Sequence, residues 1–323
     1  MTVVTTEVEP QLSPTDLGWS GPRVVAVGGG HGLAQLLEAV QQYAGEISAV
    51  VTVADDGGSS GRLTSVLEIP PPGDLRRCLL ALSPEPTVWR ELFAHRFEEG
   101  DVAGHSLGNL LLAALTEILG DFESALRAAG GYLRSLGKVI PVARRSLHLQ
   151  AVIDGRMVEG QETITKARGR VSSLSLVPDD EPANPAALAA ITAADQIVIG
   201  PGSLYTSVLS ALIVPGLTEA INESPGQVLY VCNLITQDGE TLGMSALDHV
   251  EALRTISGLA APAAILVNGG EVAVPEPLGV VTVDREALEA SGSKVIVADL
   301  VDRRVPWPEH DPIRLGEVLA RLV

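Results

Sequence analysis

Residues 23–63 read RVVAVGGGHGLAQLLEAVQQYAGEISAVVTVADDGGSSGRL. An apolar run, Val24–Val27, breaks into Gly28-Gly29-Gly30-His31-Gly32. Leu33, Leu36, Leu37 and Val40 follow at helical spacing, so the glycines sit on a strand-to-helix turn. A second apolar run, Ala49–Val53, stops at Asp55-Asp56-Gly57-Gly58-Ser59-Ser60-Gly61-Arg62. Two strands that each end in a glycine-rich loop describe one βαβ unit, with both loops at the carboxyl edge of a parallel sheet. In open α/β sheets that edge binds ligands. Glycine admits a ligand close to the backbone, and unpaired N–H groups at a helix start suit an anion such as phosphate. The common phosphate signatures are incomplete: Leu33 stands where the dinucleotide pattern has its third glycine, and no Gly-Lys-Ser/Thr is present.

The same pattern recurs. Gln196–Ile199 is a buried-strand run that ends in Gly200-Pro201-Gly202-Ser203-Leu204-Tyr205-Thr206-Ser207, with hydroxyls at a helix start. Further strands are expected at Val228–Val231 (ending at Asn233), Ala264–Val267 and Lys294–Ala298, with a last helix from Pro312. Pro70-Pro71-Pro72 forbids helix on this reading, and Asp74 is expected to cap a helix through Cys78 and Leu82. Arg76 and Arg77 then fall in its first turn, a poor place for cations unless an anion is near. Gly104-His105-Ser106-Leu107-Gly108-Asn109 enters a nearly all-apolar helix, read as buried. His105, Ser106 and Asn109 face a cavity on one reading and are hydrogen-bonded core residues on the other. Between about 145 and 178 alternation replaces the parallel pattern around an Asp154-Gly155 hairpin signal, which predicts an antiparallel insertion. The fold class is therefore α/β: a Rossmann-like, mostly parallel sheet with flanking helices and a small antiparallel excursion. Residues 1–22, acidic and proline-bearing, read as a disordered lead-in, and 23–323 as a single large domain.

Bulk properties narrow the partners. Aromatics are only 3% of the 323 residues and the net charge is −18, which argues against recognition by aromatic stacking, whether of single-stranded nucleic acid or of sugar faces, and against a phosphate-backbone partner. Cys78 and Cys232 lack metal-type spacing and read as reduced core residues. No apolar run approaches the ~18 residues a membrane helix needs, so a cytoplasmic protein without membrane insertion is expected.

The five blocks Gly28–Gly32, Val53–Arg62, Pro72–Arg76, Gly104–Asn109 and Gly200–Ser207 together resemble the gluconeogenesis-factor (YvcK) family, a branch of the superfamily that contains 2-phospho-L-lactate transferase (CofD). The likeness runs from Arg23 to the C-terminus; His31 stands where the family has Thr or another small residue. The resemblance implies a Rossmann-like fold, a homodimer or higher homo-oligomer, and binding of UDP-sugars such as UDP-N-acetylglucosamine or UDP-glucose. It also implies a role linking carbon metabolism to peptidoglycan synthesis and cell shape, and control by a serine/threonine kinase.

On that reading Gly28, Gly29, Gly30, His31 and Gly32, with Gly200, Gly202 and Ser203, hold a diphosphate. Gly58 and the hydroxyls of Ser59, Ser60, Ser203 and Thr206 assist, and Arg62 or Arg76 offsets charge. His105, Asn109 and Asn233 are candidates for uracil or sugar hydroxyls. Asp55, Asp56 and Asp74 are candidate Mg2+ ligands, with Asp55 and Asp56 foremost; capping of adjacent turns is the alternative for Asp56 and Asp74. The rival reading is a metal-dependent phosphoryl or phosphoester transferase of the 2-phospho-L-lactate transferase type, in which Asp55, Asp56 and Asp74 become catalytic. Few aromatics are present to sandwich a flavin-like ring, and no His–carboxylate pair at motif spacing marks a general base. A scaffold with vestigial loops is the third reading.

Overall fold

The computed structural model describes residues 18, 20–54, 69–84 and 86–323. Ten strands form two sheets. Seven run parallel in one: β1 (Arg23–Gly28), β2 (Glu46–Val51), β3 (Lys138–Pro141), β7 (Gln196–Ile199), β8 (Gln227–Val231), β9 (Ala264–Asn268) and β10 (Lys294–Ala298). Their order is β10-β9-β8-β7-β1-β2-β3. The chain builds outward from β1 to β3, returns, and builds the other way from β7, so the order reverses between β1 and β7. That reversal is the Rossmann-like switch point. β7 is buried at every residue and β1 at all but its first, as expected of strands covered on both faces.

The antiparallel insertion is β4 (His148–Ile153), β5 (Arg156–Glu159) and β6 (Val171–Val177) in the order β5-β4-β6. Asp154 and Gly155 turn the hairpin with φ of 48° and 77°, the primed geometry that matches strand twist. A short helix, Gln161–Ala167, lies inside this insertion where alternation alone gave no sign of it; seven residues with one buried side chain carry too little periodicity.

Two expectations are corrected. The helix Pro72–Ala81 starts two residues before Asp74, because proline at the first helical position loses no hydrogen bond. The apolar helix Leu107–Leu119 is not buried all round: it buries only Gly108, Asn109, Leu112 and Ala113, and Ile118 is 69% exposed. It belongs to an outer layer and packs on helices Phe122–Tyr132 and Val88–Ala94. Among the described residues no single helix is long and apolar enough to cross a membrane.

Candidate functional site: a cleft at the switch point

The first and third glycine loops meet at the carboxyl ends of β1 and β7. A Cβ on Gly32 would stand 2.5 Å from the Pro201 carbonyl oxygen, and one on Gly29 would stand 2.6 Å from Thr52 Cγ2 and 2.8 Å from Asp74 Oδ2. Close approach, not backbone angle, requires glycine at these two positions. Beside them opens a cleft of about 430 Å3, lined by 29–32, Gln35, 201–203, 233–238, Leu278 and 307–310. Gly29–Gly32, Gly202, Ser203 and Asn233 are thus brought together around one cavity. Asp55, Asp56, Gly58, Ser59, Ser60 and Arg62 lie outside the described residues.

The protein's own carboxylates take several of the donors that a phosphate would use. The Gly30 amide donates to Asp74 Oδ2 at 2.7 Å, and the other Asp74 oxygen is paired with Arg77. Asp74 therefore joins the first loop to its own helix instead of capping that helix. At the third loop the Tyr205 and Thr206 amides donate to Glu240 Oε2 at 3.0 and 3.4 Å, and Thr206 Oγ1 donates to Glu240 Oε1 at 2.6 Å. Thr206 is 1% exposed, so its hydroxyl secures the loop and does not line the cleft, contrary to the sequence reading. Ser203 Oγ donates to Gln237 Oε1, and Asn233 clasps Gly202 through both its amide N–H and its carbonyl. The His31 and Gly32 amides, second and third in the helix Gly30–Val40, have no acceptor within the helix and border the cleft.

Burial raises the Glu240 pKa, while the hydroxyl and amide donors pull it down. Desolvation is the larger effect and the net shift is upward, but removal of Glu240 would leave the buried Tyr205 and Thr206 donors without their acceptor. Glu240→Ala is accordingly expected to destabilise the fold by about 2–3 kcal/mol, the range for a lost cap plus orphaned buried donors. Urea unfolding at pH 7 tests this, and a change below the scatter of repeat measurements would show the cap to be idle.

Arg76 and Asn109 do not reach this cleft. The Arg76 guanidinium, 7% exposed, donates from Nε to Asn109 Oδ1 at 2.9 Å and from Nη1 to the Phe93 carbonyl at 3.1 Å. No carboxylate pairs with it among the described residues. Burial first, then Arg77 and Arg96, lower its pKa to about 10. The two residues assigned to charge and base recognition instead bond to each other under the helix Leu107–Leu119. His105 is half-buried at that helix's entry and is likewise absent from the cleft lining. Among the described residues no group of three or more His, Cys, Asp or Glu could hold a metal ion. Asp74, the one described member of the proposed Mg2+ set, has its carboxylate shared between Gly30 N–H and Arg77, so the described residues do not by themselves form the site.

Two lining residues, Trp307 and His310, escaped the sequence reading. His310 is 4% exposed, and its segment is pinned by Asp302 N to Glu309 O and Asp311 N to Leu300 O. Burial lowers the imidazole pKa to about 4, against a weaker opposing bond to the Cys232 backbone. A depressed folded pKa contributes stability that is present above the unfolded value near 6.5 and lost as pH falls toward 4. The loss approaches about 3 kcal/mol. Wild type should therefore lose more stability between pH 7 and 4.5 than His310→Gln, read by urea midpoints. Parallel curves would contradict it.

The profile of the 2-phospho-L-lactate transferase CofD family matches residues 24–301. The gluconeogenesis factor of Bacillus subtilis is 42% identical over 311 residues, covering 94% of this chain and 98% of that protein. That of Halalkalibacterium halodurans is 46% identical over 305 residues, covering 92% and 95%. A crystal structure of a UPF0052-family protein from Bacillus halodurans superposes with a TM-score of 0.89 at 42% identity, covering 94% of this chain and 99% of that one. The chain belongs to the gluconeogenesis-factor branch of the CofD family.

Proposed function

We propose that the protein is a cytoplasmic nucleotide-sugar-binding regulator, with UDP-N-acetylglucosamine or UDP-glucose bound at the β1–β7 cleft. The observation that carries this is the convergence of two glycine loops at the switch point, with His31 and Gly32, at the start of a helix, lining the cavity. Each hydrogen bond from a backbone amide there to a phosphate oxygen contributes about 1.5–3 kcal/mol. No Lys or Arg lines the cleft among the described residues, so the diphosphate is held by amides and by His31, with Arg62 as the candidate countercharge. In the lining, Glu309 already accepts from Gln35 Nε2 at 2.6 Å and pairs with His31 at 3.2 Å. A phosphate at the helix start competes with Glu309 for His31.

The regulatory part of the proposal rests on likeness to proteins named gluconeogenesis factor. It places the ligand-bound state, in a homodimer or larger assembly under serine/threonine-kinase control, between carbon metabolism and cell-wall synthesis and cell shape. The family profile's name keeps a transferase reading in view, and one experiment separates the two. Thermal melting is followed with UDP-N-acetylglucosamine, UDP-glucose, UMP, GDP or NADH, with and without Mg2+. A ligand at about 100 times its Kd adds about 2.7 kcal/mol, several degrees for a chain this long. UDP-sugars are expected to shift the melt and to be recovered unchanged by chromatography. A shift with GDP alone, or turnover of a UDP-sugar, would replace the regulator with a transferase.

A further inference from the structure

The cleft does not end at His310. Trp307 and Pro308 also wall a second cavity of about 760 Å3, which lies beyond the carboxyl ends of β9 and β10. The two cavities share Trp307 and Pro308 along the sheet edge. Strands in a sheet lie about 4.8 Å apart, so the distance from the β1–β7 gap to the β9–β10 gap, three spacings, is about 14 Å. That span suits an extended ligand with two chemically different ends.

The two cavities differ. The β1–β7 end offers backbone amides. The β9–β10 end has an apolar floor of Val272, Val280, Val301, Val305 and Pro306, with Glu271 and Arg303 at its border. Arg303 is paired with Asp299 and Asp302 with Arg304. Glu271 has no hydrogen-bond or ion-pair partner among the described residues. Trp307, 51% exposed, stands where the two cavities join. In a chain with only three tryptophans, a half-exposed indole at that junction offers apolar surface to a ligand.

We infer that this second cavity is the sugar subsite: a neutral pyranose stacks its apolar C–H face on Trp307, and its hydroxyls donate to the Glu271 carboxylate. A phosphate there would meet a free carboxylate and an apolar floor, whereas a polyol presents both an apolar face and donors. The inference rests on the nucleotide-sugar reading of the cleft, and its test separates failure of the one from failure of the other.

Binding of UDP, UDP-glucose and UDP-N-acetylglucosamine is measured by calorimetry on wild type, Trp307→Leu and Glu271→Ala. Both substitutions are at exposed positions, so folding is not at stake, and circular dichroism confirms it. Wild type should bind the UDP-sugars more tightly than UDP. Glu271→Ala should lower the UDP-sugar affinity several-fold and leave UDP unchanged, and Trp307→Leu, at a position that also borders the nucleotide cleft, should cost the UDP-sugars roughly tenfold more than it costs UDP. Tryptophan fluorescence should respond to the UDP-sugars more than to UDP, and Trp307→Leu should abolish the excess. Equal affinity of wild type for UDP and UDP-sugars, or equal loss for both in Trp307→Leu, overturns the sugar subsite and leaves the nucleotide cleft standing. Failure of wild type to bind UDP and UDP-sugars alike overturns both.

Discussion

Gly239→Ala is expected to destabilise the protein by about 4 kcal/mol and to lower Tm by roughly 10 °C. The residue has a φ of +83°, and a Cβ there would stand 1.7 Å from the Thr165 carbonyl oxygen and 2.7 Å from the Thr165 carbonyl carbon. The left-handed conformation alone costs an L-residue about 1–2 kcal/mol. The clash adds more, because the obstacle is the backbone of the helix Gln161–Ala167 and no rotamer change relieves it. Overpacking of this kind costs about 1–3 kcal/mol even where the surroundings adjust. Adjustment is itself damaging here, since Gln237 and Glu240 flank Gly239 and hold Ser203 and Thr206. Any outward movement of the loop loosens the wall of the cleft. Gly243→Ala is the control: φ is +76° but no atom lies within 4 Å of its Cβ position, so only the strain of about 1 kcal/mol applies. Urea unfolding of the two variants decides the matter. Equal midpoints would mean that the insertion does not press on this loop in solution.

The course of β1, β7 and the first and third glycine loops was legible because their signal is local: an apolar run, then small residues, then helical spacing. The reversal of strand order follows once β7 is seen to repeat the pattern of β1 after an antiparallel interruption. The allocation of donors was not legible. Ser203 and Thr206 have the right chemistry for a phosphate, but nothing near them announces that Gln237 and Glu240, each 34 residues further along, arrive to accept their hydroxyl protons. Arg76 and Asn109 are 33 residues apart and bond to each other, which residue type cannot distinguish from two residues sharing a ligand. Trp307 and His310 reach the cleft through a segment with no periodicity, held by the single bridge of Val301 with His310. Apolar content put Leu107–Leu119 in the core, although a helix in an outer layer of an assembly carries the same composition. Long-range contacts decide such cases, and spacing along one chain does not encode them.

Arg76→Ala is expected to destabilise the fold by about 4 kcal/mol, and Arg76→Met by only about 2. Removal of the whole side chain empties a fitted groove: a Cβ on Gly108 would stand 2.7 Å from Arg76 Cδ and 2.5 Å from the Phe93 carbonyl oxygen, so the arginine stem fills the space left by that glycine. Alanine therefore leaves a cavity, and it also removes the charged hydrogen bonds to Asn109 Oδ1 and the Phe93 carbonyl, each worth about 1.5–3 kcal/mol. Methionine loses the same donors but restores the stem. Both variants remove a buried cation that no carboxylate balances among the described residues. Burial, and after it the neighbouring Arg77 and Arg96, hold the pKa down at about 10, so the charged form is disfavoured by about 3 kcal/mol relative to water. At neutral pH the group is protonated in both the folded and unfolded states, so the whole penalty opposes folding and is relieved by an apolar isostere. Both variants lose the same hydrogen bonds and the same charge, so the gap between them reports the packing of the aliphatic stem against Gly108 and Phe93. Equal destabilisation by urea unfolding at pH 7 would mean that the stem contributes nothing measurable to the packing around Gly108 and Phe93.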